Sequence, residues 1–351
     1  MLTWIVSKQE EGRRLDRFLM KLFPKAPLSL LYKAIRTKTV KVNGKKGIPA
    51  ARLQEKDVIQ IFFSNARAAE LGYPGAESSK EVLIGPDFPI IPIIYEDRRI
   101  LIFNKPADIL SQKNTAQSIS LSEYLLQYLM GKGEYDSCQN IGFRPGICNR
   151  LDRNTSGIVV AAKTLGAAQA VNAAIRAQQV EKTYLALCHG ICPWQEERLL
   201  IHRWIKNSVY NQVQLEKYST DTEKKRKGVA SEVIQSLAQV LTVNVQENLT
   251  LFRLRLITGK SHQLRAQLAF EGFPILGDPK YQGEMPIATS FSVPHQLLHA
   301  YQFRFCCVSD PLQDLTDHTF TATPPDVFKR ILRRAFPDWF SILSDSGEKN
   351  V

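Results

Sequence analysis

The chain has 351 residues, of which 44% are hydrophobic and 23% charged, so its composition is that of a globular protein with one large domain or two smaller ones. No stretch reaches the roughly 20 apolar residues of a membrane-spanning helix, and the start lacks the pattern of a secretory signal, so we expect a cytoplasmic protein without a membrane partner. The six cysteines form no C-x-x-C pair, which argues against a metal site and indicates reduced thiols.

The net charge of +12 is concentrated in one early segment. Residues 13–63 hold 13 Lys or Arg against three acids, whereas the rest of the chain is nearly neutral. Such a local surplus is typical of a nucleic-acid-binding surface. The alternative is a solvated basic face without a ligand, because charge runs are common on such faces.

The basic segment predicts a small module of helices and strands. Apolar residues recur at helical spacing, prolines end the first helix, and Asn43-Gly44 is a tight-turn pair between alternating residues. The predicted elements are a helix over 15–22, a helix from 28 or 29, a hairpin over 39–45 and a strand over 57–63.

This segment resembles the S4 domain, a small RNA-binding module, through RRLDRFLMKLF, the second helix, and VKVNGKK followed by DVIQI. The resemblance implies an S4-like domain over residues 1–63 whose two helices face RNA. The RNA-binding candidates are then Arg13, Arg14, Lys33, Arg36, Lys38 and Lys45. Residues 64–89 are rich in small residues, Gly, Pro and Ser, which predicts a linker.

From residue 90 to 351 the pattern predicts one α+β domain. Many strands are separated by too little chain for helical crossovers, so a mixed, mainly antiparallel sheet with surrounding helices is expected. The predicted strands are 93–95, 100–104, 157–163, 182–188, 209–215, 229–235, 240–246 and 249–257. The predicted helices are 120–130, 165–178, 261–271 and 325–335.

The first chemically suggestive motif is NRLDRNTSG, residues 149–157. Asp152 lies between Arg150 and Arg153 at the junction of a polar turn and an apolar strand. Nearby cations favour the ionised carboxylate, which would serve as a nucleophile or a base. A structural ion pair in a turn is the alternative, and it is the commoner fate of such an aspartate.

Two further motifs carry a tyrosine and an arginine. Tyr184 in EKTYLAL stands on a strand, with Leu185 and Leu187 on the opposite face; it is either a core aromatic or a ring placed against a base. In TGKSHQLRAQL, Ser261 is the expected N-cap of a helix, and His262 and Arg265 share a face. A cation in the first turn opposes the helix dipole, so Arg265 indicates an anionic partner.

Together these motifs resemble the RluA-type pseudouridine synthases over residues 93–305. The matching segments, in order, are YEDRRILIFNKPA, NRLDRNTSG, EKTYLAL, TGKSHQLRAQLAFEGFPILGDPKY and LLHAYQF. The resemblance implies an enzyme that isomerises uridine in RNA to pseudouridine and requires no cofactor and no metal. An S4 module ahead of this domain is a common arrangement in the family.

The resemblance also implies residue roles. Asp152 is the catalytic aspartate, Arg265 pairs with it, and Tyr184 contacts the target uracil and helps to move the proton from C5. The implied substrate-binding residues are Arg150, Leu264, His262 and Lys260. The chain departs from the family where Asn149 replaces the usual histidine, Asp108 a glycine and Lys260 the commoner arginine.

The expected partner is RNA, with large-subunit ribosomal RNA as the first expectation and transfer RNA as the alternative, and we expect a monomer. Three other functions fit parts of the sequence: an RNA-binding protein without catalysis, an aspartate-dependent N-glycosidase, and a ribosome-assembly factor. The Asp152, Tyr184 and Arg265 set argues against the first, because a binding module needs no ionised carboxylate in its groove.

Overall fold

The computed structural model describes residues 2–7, 10–73, 88–113, 119–135, 143–207, 212–218, 231–281 and 293–344. Within these ranges the secondary structure forms an N-terminal unit and a larger second unit, each with its own sheet. No helix in these ranges is long and apolar enough to cross a membrane.

The N-terminal unit combines a small antiparallel sheet with three helices. Its elements are β1 (Leu2–Ile5), α1 (Leu15–Leu22), α2 (Leu28–Arg36), β2 (Val40–Val42), β3 (Lys45–Lys46), β4 (Val58–Ile61) and α3 (Asn65–Glu70). The strand order is β1–β4–β2–β3. The predicted helices, hairpin and closing strand are confirmed, and Asn43 and Gly44 form the hairpin turn with φ of +50° and +74°. The strand β1 was not predicted.

The linker prediction is wrong at its first residues, because residues 65–70 form α3. The side chain of Ser64 caps this helix by accepting a hydrogen bond of 3.2 Å from the amide of Arg67. Ala68 and Leu71 are buried in the core of the N-terminal unit. Residues 74–87 of the predicted linker lie outside the described ranges.

The second unit is built on one sheet of eleven strands. Its elements are β5 (Ile93–Glu96), β6 (Ile100–Lys105), α4 (Leu121–Gly131), β7 (Gly146–Ile147), β8 (Ser156–Ala162), α5 (Leu165–Arg176), β9 (Val180–His189), β10 (Arg198–Asn207), β11 (Gln212–Lys217), β12 (Ser231–Asn244), β13 (Leu249–Leu256), α6 (Gln263–Phe270), β14 (Leu298–Phe305), β15 (Thr319–Thr321), α7 (Asp326–Ala335) and α8 (Trp339–Ser344). The main strand order is β11–β10–β12–β13–β9–β14–β8–β6–β5, with β15 beside β14 and β7 beside β8.

Antiparallel pairing dominates this sheet, as predicted. The pairing of β8 with β14 is parallel, and the other described pairs are antiparallel. The parallel contact is short, since it joins only His299 to Ser156 and Ala300 to Gly157. It places β8, the strand that follows Asp152, in the middle of the sheet, next to β14.

Side-chain alternation on β9 separates the two faces of the sheet. Tyr184, Ala186 and Cys188 pack on the face covered by α4 and α6. Leu185 and Leu187 pack on the other face, against α7 and α8. The predicted alternation is confirmed, and it directs Tyr184 to the face on which α6 lies.

The strand predictions require correction in two respects. Strands β7, β10, β14 and β15 were not predicted, and β12 is one strand where two were predicted. A register shift between Val240 and Thr242 lets β12 bend without ending, and such a bulge explains why the local pattern looked like two strands. The predicted strands at 209–215 and 229–235 begin with residues outside the described ranges.

Candidate active site

Asp152 lies in a turn immediately before β8. The turn is fixed from both sides by Ser111, whose hydroxyl accepts from the Leu151 amide at 3.0 Å and donates to the Leu151 carbonyl at 2.8 Å. The Thr155 amide donates to the Asp152 carbonyl at 3.1 Å. The Asp152 side chain keeps 27% of its exposure, so its carboxylate is both fixed in place and open to solvent.

A buried lysine holds the other side of the same turn. Lys105 is fully buried at the end of β6. Its ammonium group donates to the carbonyls of Pro106 at 2.8 Å, Ile109 at 2.8 Å and Arg153 at 3.0 Å. Burial lowers the pKa of Lys105 to about 7, whereas the charge of Asp152 acts to raise it. The lysine thus links the residue after Asp152 to the sheet.

Arg265 joins two carboxylates. Its Nη1 donates to Asp152 Oδ2 at 2.9 Å, while Nε and Nη2 donate to the two oxygens of Asp278 at 2.7 and 2.8 Å. The prediction that Arg265 has an anionic partner is therefore confirmed. Burial acts against the charged guanidinium, but Asp278 and Asp152 more than compensate and raise the pKa of Arg265. Arg265 remains a permanent cation beside Asp152.

Asp278 was missed by the sequence analysis. It is completely buried, and its Oδ1 also accepts from the amides of Lys280 at 2.8 Å and Tyr281 at 3.2 Å. Burial acts to raise the pKa of Asp278, but the bonds from Arg265 and the two amides lower it overall. Because Asp152 already accounted for the charge of Arg265, the sequence carried no separate signal for a second carboxylate.

Buried amide side chains position α6 on the sheet. Gln263 accepts from the Thr258 hydroxyl at 2.9 Å and donates to the Gln235 carbonyl at 2.9 Å. Gln267 accepts from Ser236 at 3.0 Å and donates to the Leu200 carbonyl at 3.2 Å. These bonds satisfy the polar groups that α6 buries, and they fix the rotation of the helix that carries Arg265.

The predicted start of α6 is wrong by two residues. His262, and not Ser261, is the N-cap, and its φ of +56° places it outside the helix. His262 Nδ1 lies 3.0 Å from the Tyr281 hydroxyl, and its Nε2 lies 3.9 Å from Asp152 Oδ2. Burial and the cations Arg265 and Lys280 lower the pKa of His262, although Asp152 opposes them. His262 borders the carboxylate without forming a hydrogen bond to it.

Strand register brings Tyr184 to the same region. Tyr184 on β9 pairs with Ala300 on β14, Ala300 pairs with Gly157 on β8, and Gly157 pairs with Lys105 on β6. This row spans four strands and ends beside the Asp152 turn. Burial raises the pKa of Tyr184, and the charge of Asp152 raises it further, so the phenol stays protonated.

The other predicted substrate-binding residues differ in how far their side chains are buried. Leu264 is 5% exposed and packs in the same cluster as Tyr184. Arg150 is exposed beside the Asp152 turn. Lys260 lies in the loop before α6 and forms an ion pair of 2.5 Å with Glu232. Leu264 and Tyr184 thus share the apolar side of the site, and the two cations lie at its edge.

Two departures from the family pattern have a structural account. The side chain of Asn149 accepts from the Val160 amide at 2.8 Å and donates to the Ile158 carbonyl at 3.2 Å, so it is bound to β8 and occupied by backbone. Asp108 has a φ of +65°, a left-handed conformation that glycine adopts most easily. Its exposed carboxylate pairs with Arg153 at 2.8 Å.

The six RNA-binding candidates do not share one environment. Four of them, Lys33, Arg36, Lys38 and Lys45, are exposed on α2 and on the segment that follows it. Arg14 is engaged by Asp16 at 2.7 Å. Arg13 is partly buried, and burial lowers its pKa. In the described ranges, no group of three or more His, Cys, Asp or Glu residues is placed to hold a metal ion.

Comparison with known proteins adds independent information to this geometry. Residues 99–270 match the family model described as RNA pseudouridylate synthase. An uncharacterised RNA pseudouridine synthase of Mycoplasma genitalium is 30% identical over 305 residues, which cover 86% of this chain and 88% of that protein. The chain belongs to the RluA-type RNA pseudouridine synthases.

Other relatives of this synthase carry a more specific description. A protein of Haemophilus influenzae described as ribosomal large subunit pseudouridine synthase C is 28% identical over 310 residues, covering 87% of this chain and 86% of that protein. A solved structure, human RNA pseudouridylate synthase domain containing 4, aligns with a TM-score of 0.53 and 21% identity over 69% of this chain and 92% of that chain. The structural likeness shows the pseudouridine synthase fold, with its mixed sheet and helices.

The synthase is therefore an isomerase that acts on RNA and converts uridine to pseudouridine. The face that carries Asp152, Arg265 and Tyr184 lies within the matched residues 99–270. Asp278 and its backbone donors lie just beyond that range.

Proposed function

We propose that Asp152 is the essential carboxylate of this synthase. The observation that carries the proposal is the bond of 2.9 Å between Arg265 Nη1 and Asp152 Oδ2, in a turn where the carboxylate is still 27% exposed. A purely structural ion pair would not require a partly exposed carboxylate. Nor would it require that a second aspartate hold the paired arginine in place. This arrangement supplies an oriented carboxylate with one face left for a nucleotide.

The reaction breaks the bond between ribose C1′ and uracil N1, turns the base, and joins C1′ to C5. The hydrogen on C5 leaves and N1 gains one, so atoms balance without any redox partner, and we propose that no cofactor or metal takes part. The carboxylate serves by attacking C1′ or by removing the C2′ proton; attack on C6 of the base is an older alternative. Each route uses the Asp152 carboxylate, which Arg265 orients.

Tyr184 is proposed to lie against the detached uracil. Its ring shares the apolar cluster with Leu264, which would contact the same base. Because burial keeps the phenol protonated, Tyr184 suits a hydrogen-bond donor and packing surface better than a base. In the proton transfer from C5 it would therefore act together with a group that accepts the proton. Arg150, Lys260 and His262 at the edge would hold the RNA around the extruded nucleotide.

The N-terminal unit is proposed to be an S4-like docking domain for RNA. Among the described residues, its core contains none beyond Tyr73, and the clusters of the second unit contain none before Phe88. This separation supports two domains, with the first ending near residue 73 and not at residue 63. The four exposed cations on and after α2 would contact phosphates, and their attraction would offset part of the few kcal/mol that unstacking the uridine costs.

Large-subunit ribosomal RNA is the proposed substrate. Several relatives that cover most of this chain are described as ribosomal large subunit pseudouridine synthase C. We propose that the enzyme acts as a cytoplasmic monomer.

The test of the carboxylate is Asp152→Asn in the full chain, with Asp108→Asn as the matched control. Asp108 is an exposed aspartate on a loop that pairs with the neighbouring Arg153, and asparagine tolerates its left-handed backbone. Tritium release from RNA labelled at uridine C5 should fall at least about a thousandfold for Asp152→Asn, because the reacting group is removed. RNA affinity should stay within a few-fold, and Asp108→Asn should retain activity.

The outcomes separate the competing functions. Turnover by Asp152→Asn at more than a few per cent of the wild-type rate would remove Asp152 from the mechanism. Free uracil and an abasic site in the wild-type reaction would identify an N-glycosidase. An inactive wild-type protein that binds RNA tightly would identify a binding protein.

A further inference from the structure

The N-terminal unit contains a concave surface on the flank of α2 that the catalytic site does not use. A cavity of about 400 Å³ lies between α2 and the segment that follows β3. This volume is within the range of small-ligand sites, roughly 300–1,000 Å³. Its lining includes an aromatic ring, three cations and two apolar side chains: Tyr32, Lys33, Arg36, Lys46, Ile35 and Pro49.

The Tyr32 side chain is held in place by a hydrogen bond, but its ring is partly exposed to solvent. Its hydroxyl donates to Asp16 Oδ2 at 3.0 Å. Asp16 is itself nearly buried and is held by Arg14 at 2.7 Å and by the Arg17 amide at 2.7 Å. Tyr32 nevertheless remains 39% exposed. The ring is thus held at its polar end while its body is open to a flat partner, which is the geometry of a stacking platform.

The cations around the ring lack acidic partners. Lys33, Arg36 and Lys46 are exposed, and within the described ranges none of them forms an ion pair with a carboxylate. The acid that holds the ring, Asp16, is already engaged by Arg14 and Tyr32. Three unpaired cations at the edge of a concave surface attract an anion of matching extent, such as the phosphates of a nucleic-acid strand.

We propose that this cavity, the Tyr32 pocket, binds one unpaired nucleotide of the RNA substrate. The base stacks on the Tyr32 ring above the apolar side chains, and the flanking phosphates lie on Lys33, Arg36 and Lys46. A base inside a duplex has both faces covered by its neighbours, so the pocket selects a looped-out or single-stranded nucleotide. The inference rests on the proposed RNA-docking role of the N-terminal unit and specifies which RNA conformation that unit detects.

The test uses the full chain and two RNA probes without a target uridine. One is a 12-nucleotide oligo(A), which contains no uridine, and the other is a blunt A-form RNA duplex. Tyr32→Ala should weaken oligo(A) binding about tenfold and leave the duplex within about twofold. The dependence of oligo(A) affinity on salt should keep its slope, because no charge is removed. Lys46→Ala should instead lower that slope by roughly 0.7 for one lost phosphate contact.

Two variants separate stacking from support of the fold. Tyr32→Phe keeps the ring and removes the bond to Asp16, so it should bind oligo(A) within about twofold of wild type. Phe62→Ala is the matched control, since Phe62 is a 44% exposed ring with Lys41 at 5.2 Å but lies outside the pocket. It should bind both probes as the wild type does.

The proposal is overturned if Tyr32→Ala binds oligo(A) as well as Phe62→Ala, or if it weakens oligo(A) and duplex equally. The second result would mean that the ring only supports the basic surface. Neither probe engages the uridine chemistry, so these outcomes are independent of the tritium-release test. Continued tritium release by Asp152→Asn, with the oligo(A) result intact, would remove the proposed role of Asp152 and leave the pocket.

Discussion

Asp278 is completely buried and uses both carboxylate oxygens to bind Arg265, which leaves the remaining terminal nitrogen of the guanidinium directed at Asp152. The backbone amides of Lys280 and Tyr281 hold Asp278 in turn. At the scale of single residues, the orientation of the proposed catalytic carboxylate is therefore set by a second carboxylate that has no access to substrate.

Replacing Asp278 with Asn tests this positioning role. The amide cannot accept both charged bonds, so Arg265 loses its anchor and the geometry at Asp152 relaxes. We expect kcat to fall about 10- to 100-fold, because a displacement of about 1 Å at a reacting group has this effect. The KM for RNA should change little, since Asp278 is out of reach of the strand. Multiple-turnover tritium release at several RNA concentrations measures both quantities.

The control for this variant is Asp317→Asn. Asp317 also pairs with an arginine, Arg304 at 3.1 Å, but on the exposed surface away from the site. It should have wild-type kcat and thermal stability. If Asp278→Asn lowered only the melting temperature and left kcat at the level of this control, Asp278 would be a structural residue and not a positioning residue.

The sequence predicted the groups that face the site better than the groups that hold them. Asp152, Tyr184 and Arg265 were predicted from motifs, and the structure brings the aspartate and the arginine into contact. Asp278 and Lys105 were not predicted as site residues, because their partners are distant in sequence or are backbone carbonyls. Asn149 was noted only as a departure from the family pattern, and the coordinates alone reveal that its side chain is bound to the backbone of β8.

At the scale of elements, the approach of β8 to β14 depends on Gly157. Gly157 has a φ of +112°, and a Cβ at this position would lie 2.2 Å from the Ala300 carbonyl oxygen. A side chain here would push apart the two strands that connect the Asp152 turn to Tyr184. The parallel contact therefore requires a glycine both for its backbone conformation and for space.

Gly157→Ala should destabilise the protein by about 3 kcal/mol or more, since it combines backbone strain with overpacking against backbone. Gly131→Ala is the matched control, because Gly131 ends α4 with an ordinary backbone, and a Cβ added there would meet nothing within 4 Å. It should be neutral or slightly stabilising. Urea unfolding of both variants measures the difference, and equal stability of the two would refute the packing argument.

Local sequence patterns predicted most elements of the second unit. They failed where tertiary contacts determine the secondary structure. The helices α4, α5 and α7 begin and end within about two residues of their predicted bounds. Helix α6 starts later than predicted because His262 adopts a left-handed backbone that no capping rule anticipates. The strand β14 was missed although its residues were part of a family motif, since its strand character depends on pairing with β8 and β9.

At the scale of the whole molecule, the surplus of positive charge and the proposed catalytic residues belong to different units of the chain. Among the described residues, the N-terminal unit has its own buried cluster without any residue of the second unit, and residues 13–63 carry most of the net charge. The cluster that contains Leu151 and Tyr184 consists, in the part of the chain that the structure describes, of residues of the second unit. Binding strength and chemistry should consequently respond to different sets of substitutions.

Deleting residues 1–73 should therefore leave a folded enzyme that binds RNA weakly. We expect the KM for structured RNA to rise by tenfold or more at physiological salt and the plot of log affinity against log salt to become flatter. The kcat at saturating RNA should stay within a few-fold. Filter binding at several salt concentrations and multiple-turnover tritium release provide the two measurements.

The control is the full chain with Lys329→Ala, a basic residue on α7 that pairs with Asp326 at 2.7 Å. It should keep the salt slope of the wild type. A truncated protein with an unchanged slope would show that RNA docks on the second unit, and the S4-like assignment would then lose its functional basis.

The guanidinium bridge between Asp152 and Asp278 is already closed in the free protein. Arrival of RNA is not required to assemble it, so the proposed catalytic carboxylate is oriented before any encounter. Discrimination among the uridines of an RNA substrate must then be exercised earlier, when a strand is captured and one base is unstacked. Such an enzyme can be retargeted by changing how RNA is delivered, without changing the carboxylate that is proposed to perform the isomerisation.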